Sequence, residues 1–192
     1  MYCIWKIRRN FHEVYINGNF SDKDLPVLLV SNHISWWDGF WAMYLNLKIF
    51  RRRFHFMMLE DQLKKYMFFN KTGGYSIKKG SRSIIESLNY TARLLSDKKN
   101  LVLIFPQGEI QSIYTGTLHF EKGLEHILKK MTSNAHLVFL VCLIDYFSRS
   151  KPGLYMYFKE YTENDYSTPD IEKEYNIFYA HCIAVNIAKK GS

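Results

Sequence analysis

Val27-Leu28-Leu29-Val30-Ser31-Asn32-His33-Ile34-Ser35-Trp36-Trp37-Asp38 begins as an unbroken apolar run and stops abruptly on a His, with an Asp five residues further on. A run this short and this apolar predicts a buried strand of an α/β sheet. His33 then stands at the strand's carboxyl end, where ligands collect in open α/β sheets, and Asp38 is close enough to orient its ring. An imidazole so placed is a candidate general base for deprotonating a hydroxyl at neutral pH.

Working outward, short apolar, β-branched or aromatic runs predict further strands over residues 54–58, 75–77, 101–105, 136–144 and 154–158. Helical spacing of apolar residues falls between them, over 36–47, 81–95, 121–131 and a closing helix over 170–188. This alternation predicts one α/β domain over residues 1–192, with a mixed, mostly parallel central sheet flanked by helices and a motif-bearing core over 25–160. Three unusual segments follow strands: 32–38, 78–82 and 106–109. They would meet at one edge of the sheet.

At 192 residues and 47% hydrophobic, the chain is long enough to bury most of its apolar surface in one core. Its three cysteines, Cys3, Cys142 and Cys182, show neither a CxxC pair nor an even framework, which argues against a zinc site or disulfide scaffold and for a reducing, intracellular setting. The net charge of +8 suits polyanions, whether anionic lipid or nucleic acid. No apolar run approaches the ~20 residues needed to cross a bilayer, so a soluble or peripheral protein is expected. Residues 1–11 interleave Tyr2, Ile4, Trp5, Ile7 and Phe11 with Lys6, Arg8 and Arg9, which suits either a membrane-contacting segment within residues 1–20 or a first helix packed on the domain. Ser31 and Ser35 lie outside any Gly-x-Ser-x-Gly elbow, and the remaining histidines show no metal-ligand spacing.

The segment from Asn32 to Asp38 resembles the NHxxxxD signature of the lysophospholipid and glycerol-phosphate acyltransferase family. Gly73-Gly74-Tyr75-Ser76-Ile77-Lys78-Lys79-Gly80 is similar to that family's second block, Phe105-Pro106-Gln107-Gly108-Glu109 to its third, and Phe120-Glu121-Lys122-Gly123 to the segment that commonly follows. The likeness spans roughly residues 25–146. Lys79 stands where the family usually has Arg, so it would neutralise a phosphate as a point charge without bidentate geometry. Gln107 stands in place of Glu and Glu109 in place of Thr, and the apolar run Phe139-Leu140-Val141-Cys142-Leu143 lacks the Pro of the family's fourth block.

The resemblance implies a glycerol-phosphate acyltransferase-like fold and an O-acyltransferase that needs neither a cofactor nor a metal. His33, held by Asp38, would be the base; Lys78, Lys79, Arg82, Gln107, Gly108 and Glu109 would bind substrate. The acyl donor would be acyl-coenzyme A or an acyl carrier protein, and the acceptor a lysophospholipid such as 1-acylglycerol-3-phosphate. The expected setting is the cytoplasmic side of an anionic membrane, with no nucleic acid partner. Two other readings stand beside this one: an acyltransferase for a phosphate-free lipid, and an inactive basic module that binds lipid or nucleic acid.

Overall fold

The computed structural model describes residues 2–65, 73–77, 83–162 and 167–189. Its centre is a seven-stranded sheet in the order β1-β7-β6-β2-β5-β3-β4. The strands are β1 (Glu13–Asn17), β2 (Val27–Ser31), β3 (Arg53–Leu59), β4 (Gly74–Ile77), β5 (Asn100–Ile104), β6 (His136–Asp145) and β7 (Gly153–Glu160). Strands β6, β2, β5, β3 and β4 are mutually parallel; β7 runs antiparallel to β6 and pairs in parallel with β1. The mixed, mostly parallel α/β sheet predicted from the alternation is the observed architecture.

Every residue of β2 and β5 is buried, because helices cover both faces of the sheet at its centre. Period-two alternation divides each strand between two cores. Leu28 and Val30 join Val102, Ile104 and Phe139 beneath α4 (Ser83–Leu94), α5 (Gly123–Lys130) and α6 (Thr168–Ile187). Val27 and Leu29 join Leu101, Leu103 and Leu140 beneath α1 (Tyr2–Asn10) and α2 (Asp38–Leu45). Ser167 caps α6 by accepting from the Asp170 amide, and Pro169 occupies the first turn, where a missing N–H costs nothing.

Two elements escape the sequence pattern. Strand β1 is a half-exposed edge strand whose ends are Glu and Asn, so its three intermediate residues carry too little apolar signal. Helix α3 (Glu60–Lys65) is six residues of mostly polar composition. Helix α2 also starts later than its apolar spacing suggests, at Asp38, and continues as a π-helical turn, Asn46–Phe50. The buried Asn46 side chain closes that turn by bonding both the amide and the carbonyl of Arg52, and Arg51 takes a left-handed φ of 55°.

Parallel alignment brings the carboxyl ends of β2, β5, β3, β4 and β6 to one edge. The segments after β2 and β5 meet there. Lys78, Lys79 and Arg82, predicted to join them after β4, lie outside the described residues.

Candidate active site

Backbone pairing between β2 and β6 ends at Ser31 opposite Leu140. The next residue, Asn32, extends the ladder with its side chain: Nδ2 donates to the Cys142 carbonyl at 2.9 Å and Oδ1 accepts from the Cys142 amide at 2.8 Å. This carboxamide is fully buried and substitutes for one more step of strand. The main chain of His33 is therefore released from the sheet at a fixed point.

A ring of amides then holds His33 in place. Its N–H donates to Gln107 Oε1 at 2.7 Å, Gln107 Nε2 donates to Gln111 Oε1 at 2.8 Å, and the Gln111 N–H donates back to the His33 carbonyl at 2.9 Å. Gln107, expected to bind substrate, is buried with both ends of its amide engaged within the protein. If its work is to position His33, replacing Gln107 with Leu should lower kcat by about tenfold or more, through an unsatisfied buried amide, while leaving KM nearly unchanged. A rise in KM at constant kcat would assign Gln107 to substrate binding instead.

The His33 ring stacks on Phe105, with centroids 4.1 Å apart and planes 11° from parallel. Its Nδ1 lies 2.8 Å from Asp38 Oδ2. A carboxylate only accepts, so Nδ1 carries the hydrogen and the Nε2 lone pair is left exposed on the other side of the ring. Nε2 has no partner among the described residues, and the side chain is 21% accessible.

Asp38 Oδ2 also accepts from the amides of Ile34 at 2.7 Å and Ser35 at 2.8 Å, which draws the whole turn around one oxygen. Burial pushes the Asp38 carboxyl up from its ordinary value, against the downward pull of the His33 and amide hydrogen bonds. Its place in the first turn of α2 opposes the effect of burial too, since the helix N-terminus favours negative charge.

Gly108 follows in a left-handed conformation, φ 71°, that closes the turn back on Phe105. A Cβ there would sit 3.1 Å from Glu121 Cγ, a contact that the exposed Glu side chain can relieve, so it is the left-handed backbone that calls for Gly. Gly108 and Glu109 are exposed on the loop beside the His33 turn. A cleft of about 720 Å³ between α5 and α6 is lined in part by Gly116, Thr117, Phe120 and Glu121; His33 is not among the residues lining it.

Neither nearby serine reaches the imidazole: Ser31 Oγ donates to the Asn32 carbonyl, and Ser35 Oγ accepts from the Trp37 amide. Cysteine is no better a nucleophile. Burial pushes all three thiols up, Cys142 with the Asp38 charge adding to the effect and Cys182 to about 12. An aromatic disulfide reagent at pH 8 should therefore find no rapidly reacting thiol in the native protein and three after unfolding. A fast native thiol would show that one of them is activated.

Sequence reasoning picked out Asn32, His33, Asp38, Phe105 and Gln107 as motif residues, but it missed the stacking of the Phe105 ring on His33 and the amide of Gln111. Phe105 had a signal, because it is the last residue of the apolar run that ends β5. Gln111 had none, since its role depends on how the loop after Gly108 folds back.

No curated protein matches the chain. A family model described as Acyltransferase matches residues 12–143, which is more than half of the sequence and includes the β2 turn, β5 and most of β6. The chain belongs to the Acyltransferase family.

Proposed function

We propose that the chain transfers a fatty acyl group from the thioester of coenzyme A or an acyl carrier protein to the hydroxyl of a lipid. The lead acceptor is a lysophospholipid of the 1-acylglycerol-3-phosphate kind. The observation that carries this reading is the His33–Asp38 pair, with Nδ1 engaged and Nε2 open on a shallow edge of the sheet. Nε2 takes the proton of the acceptor hydroxyl as its oxygen attacks the thioester carbonyl carbon. The tetrahedral intermediate collapses, the carbon–sulfur bond breaks, and the imidazolium returns its proton to the departing thiolate. Asp38 stabilises the imidazolium between these steps, and the Phe105 face keeps the ring from rotating out of line.

In this reading Lys78, Lys79 and Arg82 neutralise the acceptor headgroup or the donor's phosphates. Gly108 lets the loop backbone approach the substrate. Glu109 favours a second reading, in which the acceptor carries no phosphate: it is exposed on the site loop, where a carboxylate repels a phosphate.

Incubation with palmitoyl-coenzyme A or palmitoyl-acyl carrier protein and a panel of acceptors, followed by mass spectrometry of the lipids, tests the assignment. The expected product is a palmitoylated acceptor from lysophosphatidate. Product only from phosphate-free alcohols would select the second reading. No acylated lipid from any acceptor would remove the enzyme reading and leave the inactive binding module.

A further inference from the structure

The NHxxxxD turn carries two tryptophans, Trp36 and Trp37, for which the proposed proton transfer has no use. They are 36% and 37% exposed, whereas Trp41, one turn further along α2, is 3% exposed and belongs to the core. Their rings form one continuous cluster with the first helix. Trp36 packs on Trp37 with centroids 5.1 Å apart, both pack on Phe40, and Phe40 meets Tyr2, which in turn meets Trp5. Helix α1 is seated on the domain through Cys3 and Ile7, at 4% and 2% exposure, while Tyr2 and Trp5 each remain 51% exposed. The helix thus docks with one side and displays rings on the other.

Cations are laid among these rings. Lys6 Nζ lies 5.7 Å from the centroid of Tyr2, 5.8 Å from Trp5 and 5.3 Å from Trp37, and the Arg9 guanidinium lies 5.2 Å from Trp5. Among the described residues, no ion pair engages Lys6, Arg8 or Arg9, although the strap over residues 22–24 pairs Arg52, Lys98 and Lys23 with carboxylates. Exposed amphipathic rings interleaved with unneutralised cations match the headgroup level of an anionic bilayer, where the rings sit between apolar and wet layers and the cations meet lipid phosphates.

We propose that Tyr2, Trp5, Lys6, Arg9, Trp36 and Trp37 form a single docking platform for an anionic membrane surface. Because Trp36 and Trp37 lie within the turn between His33 and Asp38, docking seats that turn at the headgroup level, where a lipid hydroxyl enters without leaving the bilayer. The choice of a membrane as partner rests on the lipid-acceptor reading above; the platform itself rests on exposure, ring contacts and charge.

The test uses the full chain, without substrate, and phosphatidylcholine vesicles containing about one-third phosphatidylglycerol. Co-sedimentation and a blue shift of tryptophan emission are expected with these vesicles and not with phosphatidylcholine alone. The Trp5→Ala/Trp37→Ala double variant should lose partitioning by about tenfold or more, and Lys6→Glu should weaken it and flatten its salt dependence. Lys173→Glu, an equal charge change on exposed α6, should bind as the wild type does. Circular dichroism confirms that each variant is folded.

Absence of wild-type binding, equal binding by the platform variants, or equal loss from Lys173→Glu would overturn the proposal. Self-association or capture of an acidic carrier protein through these residues, in place of vesicle binding, would overturn it as well and give the face to a protein partner. Vesicle binding by a protein that acylates no lipid would leave the platform standing and remove the acyltransfer reading. Acyl transfer without vesicle binding would do the reverse.

Discussion

Replacing Asp38 with Asn should lower turnover by about 10²–10⁴-fold while the protein stays folded. An amide oxygen at this position still accepts from the Ile34 and Ser35 amides, so the turn survives. It still accepts from His33 Nδ1 as well, but it carries no full charge and cannot stabilise an imidazolium, and the NH₂ group falls at the Oδ1 position, which has no partner among the described residues. The stability consequence lies in its pH dependence. Burial holds the Asp38 carboxyl above its unfolded value, so the folded protein binds this proton more tightly than the unfolded chain does. Stability falls as pH rises from the ordinary carboxylate value through the raised one. The Asp38→Asn variant lacks that pH-dependent loss but buries an NH₂ group at the partnerless Oδ1 position, so its stability should change less with pH than the wild type's. Thermal melts from pH 4 to pH 8, beside steady-state rates, separate the two effects. A variant that is inactive because it is unfolded at every pH would mean that the carboxylate holds the fold and not the chemistry.

The second large effect falls on a residue with no chemical task. Asn32→Ala removes both partners of the Cys142 backbone, leaving an N–H and a C=O unsatisfied where no water reaches. At about 1–3 kcal/mol for each of the two orphaned groups, the expected loss is roughly 2–6 kcal/mol, or roughly 4–24 °C in Tm for a chain of this size. Asn32→Asp should fare no better at neutral pH, because a carboxylate faces the Cys142 carbonyl and buries a charge. Partial recovery of stability on acidification would distinguish it from the Ala variant. Activity should fall with both, since β2 no longer ends at a fixed point. A melt of Asn32→Ala indistinguishable from the wild type would show that the end of β2 is held by something other than this carboxamide.

Asn32 is thus a piece of sheet made from a side chain, and His33 and Asp38 are held at the end it fixes. That division explains what the sequence disclosed. β2 and β5 were legible because strands covered on both faces must be apolar throughout, and the helices beside them because their core-facing residues recur at helical spacing. His33 and Asp38 were legible because their separation is local and one turn closes it. β1 was hidden because an edge strand needs little apolar surface. The stacking of Phe105 on His33 and the amide ring through Gln111 were hidden because they join residues more than seventy positions apart, through a loop whose path follows from the left-handed turn at Gly108. The exposure of Trp36 and Trp37 could not be read from composition either, since apolar residues at helical spacing imply burial and Trp41 in the same stretch is buried.

Among the described residues no helix is long and apolar enough to cross a membrane. The edge of the sheet that carries His33 also carries the exposed tryptophan pair.

The most direct test of the proposed chemistry is release of coenzyme A thiol from palmitoyl-coenzyme A, followed with and without lysophosphatidate, in the wild type and in His33→Ala. The account predicts release that depends on the acceptor and falls by about 10²–10⁴-fold in the variant, with both proteins folded. Release that proceeds equally without an acceptor, or that survives loss of His33, would contradict it.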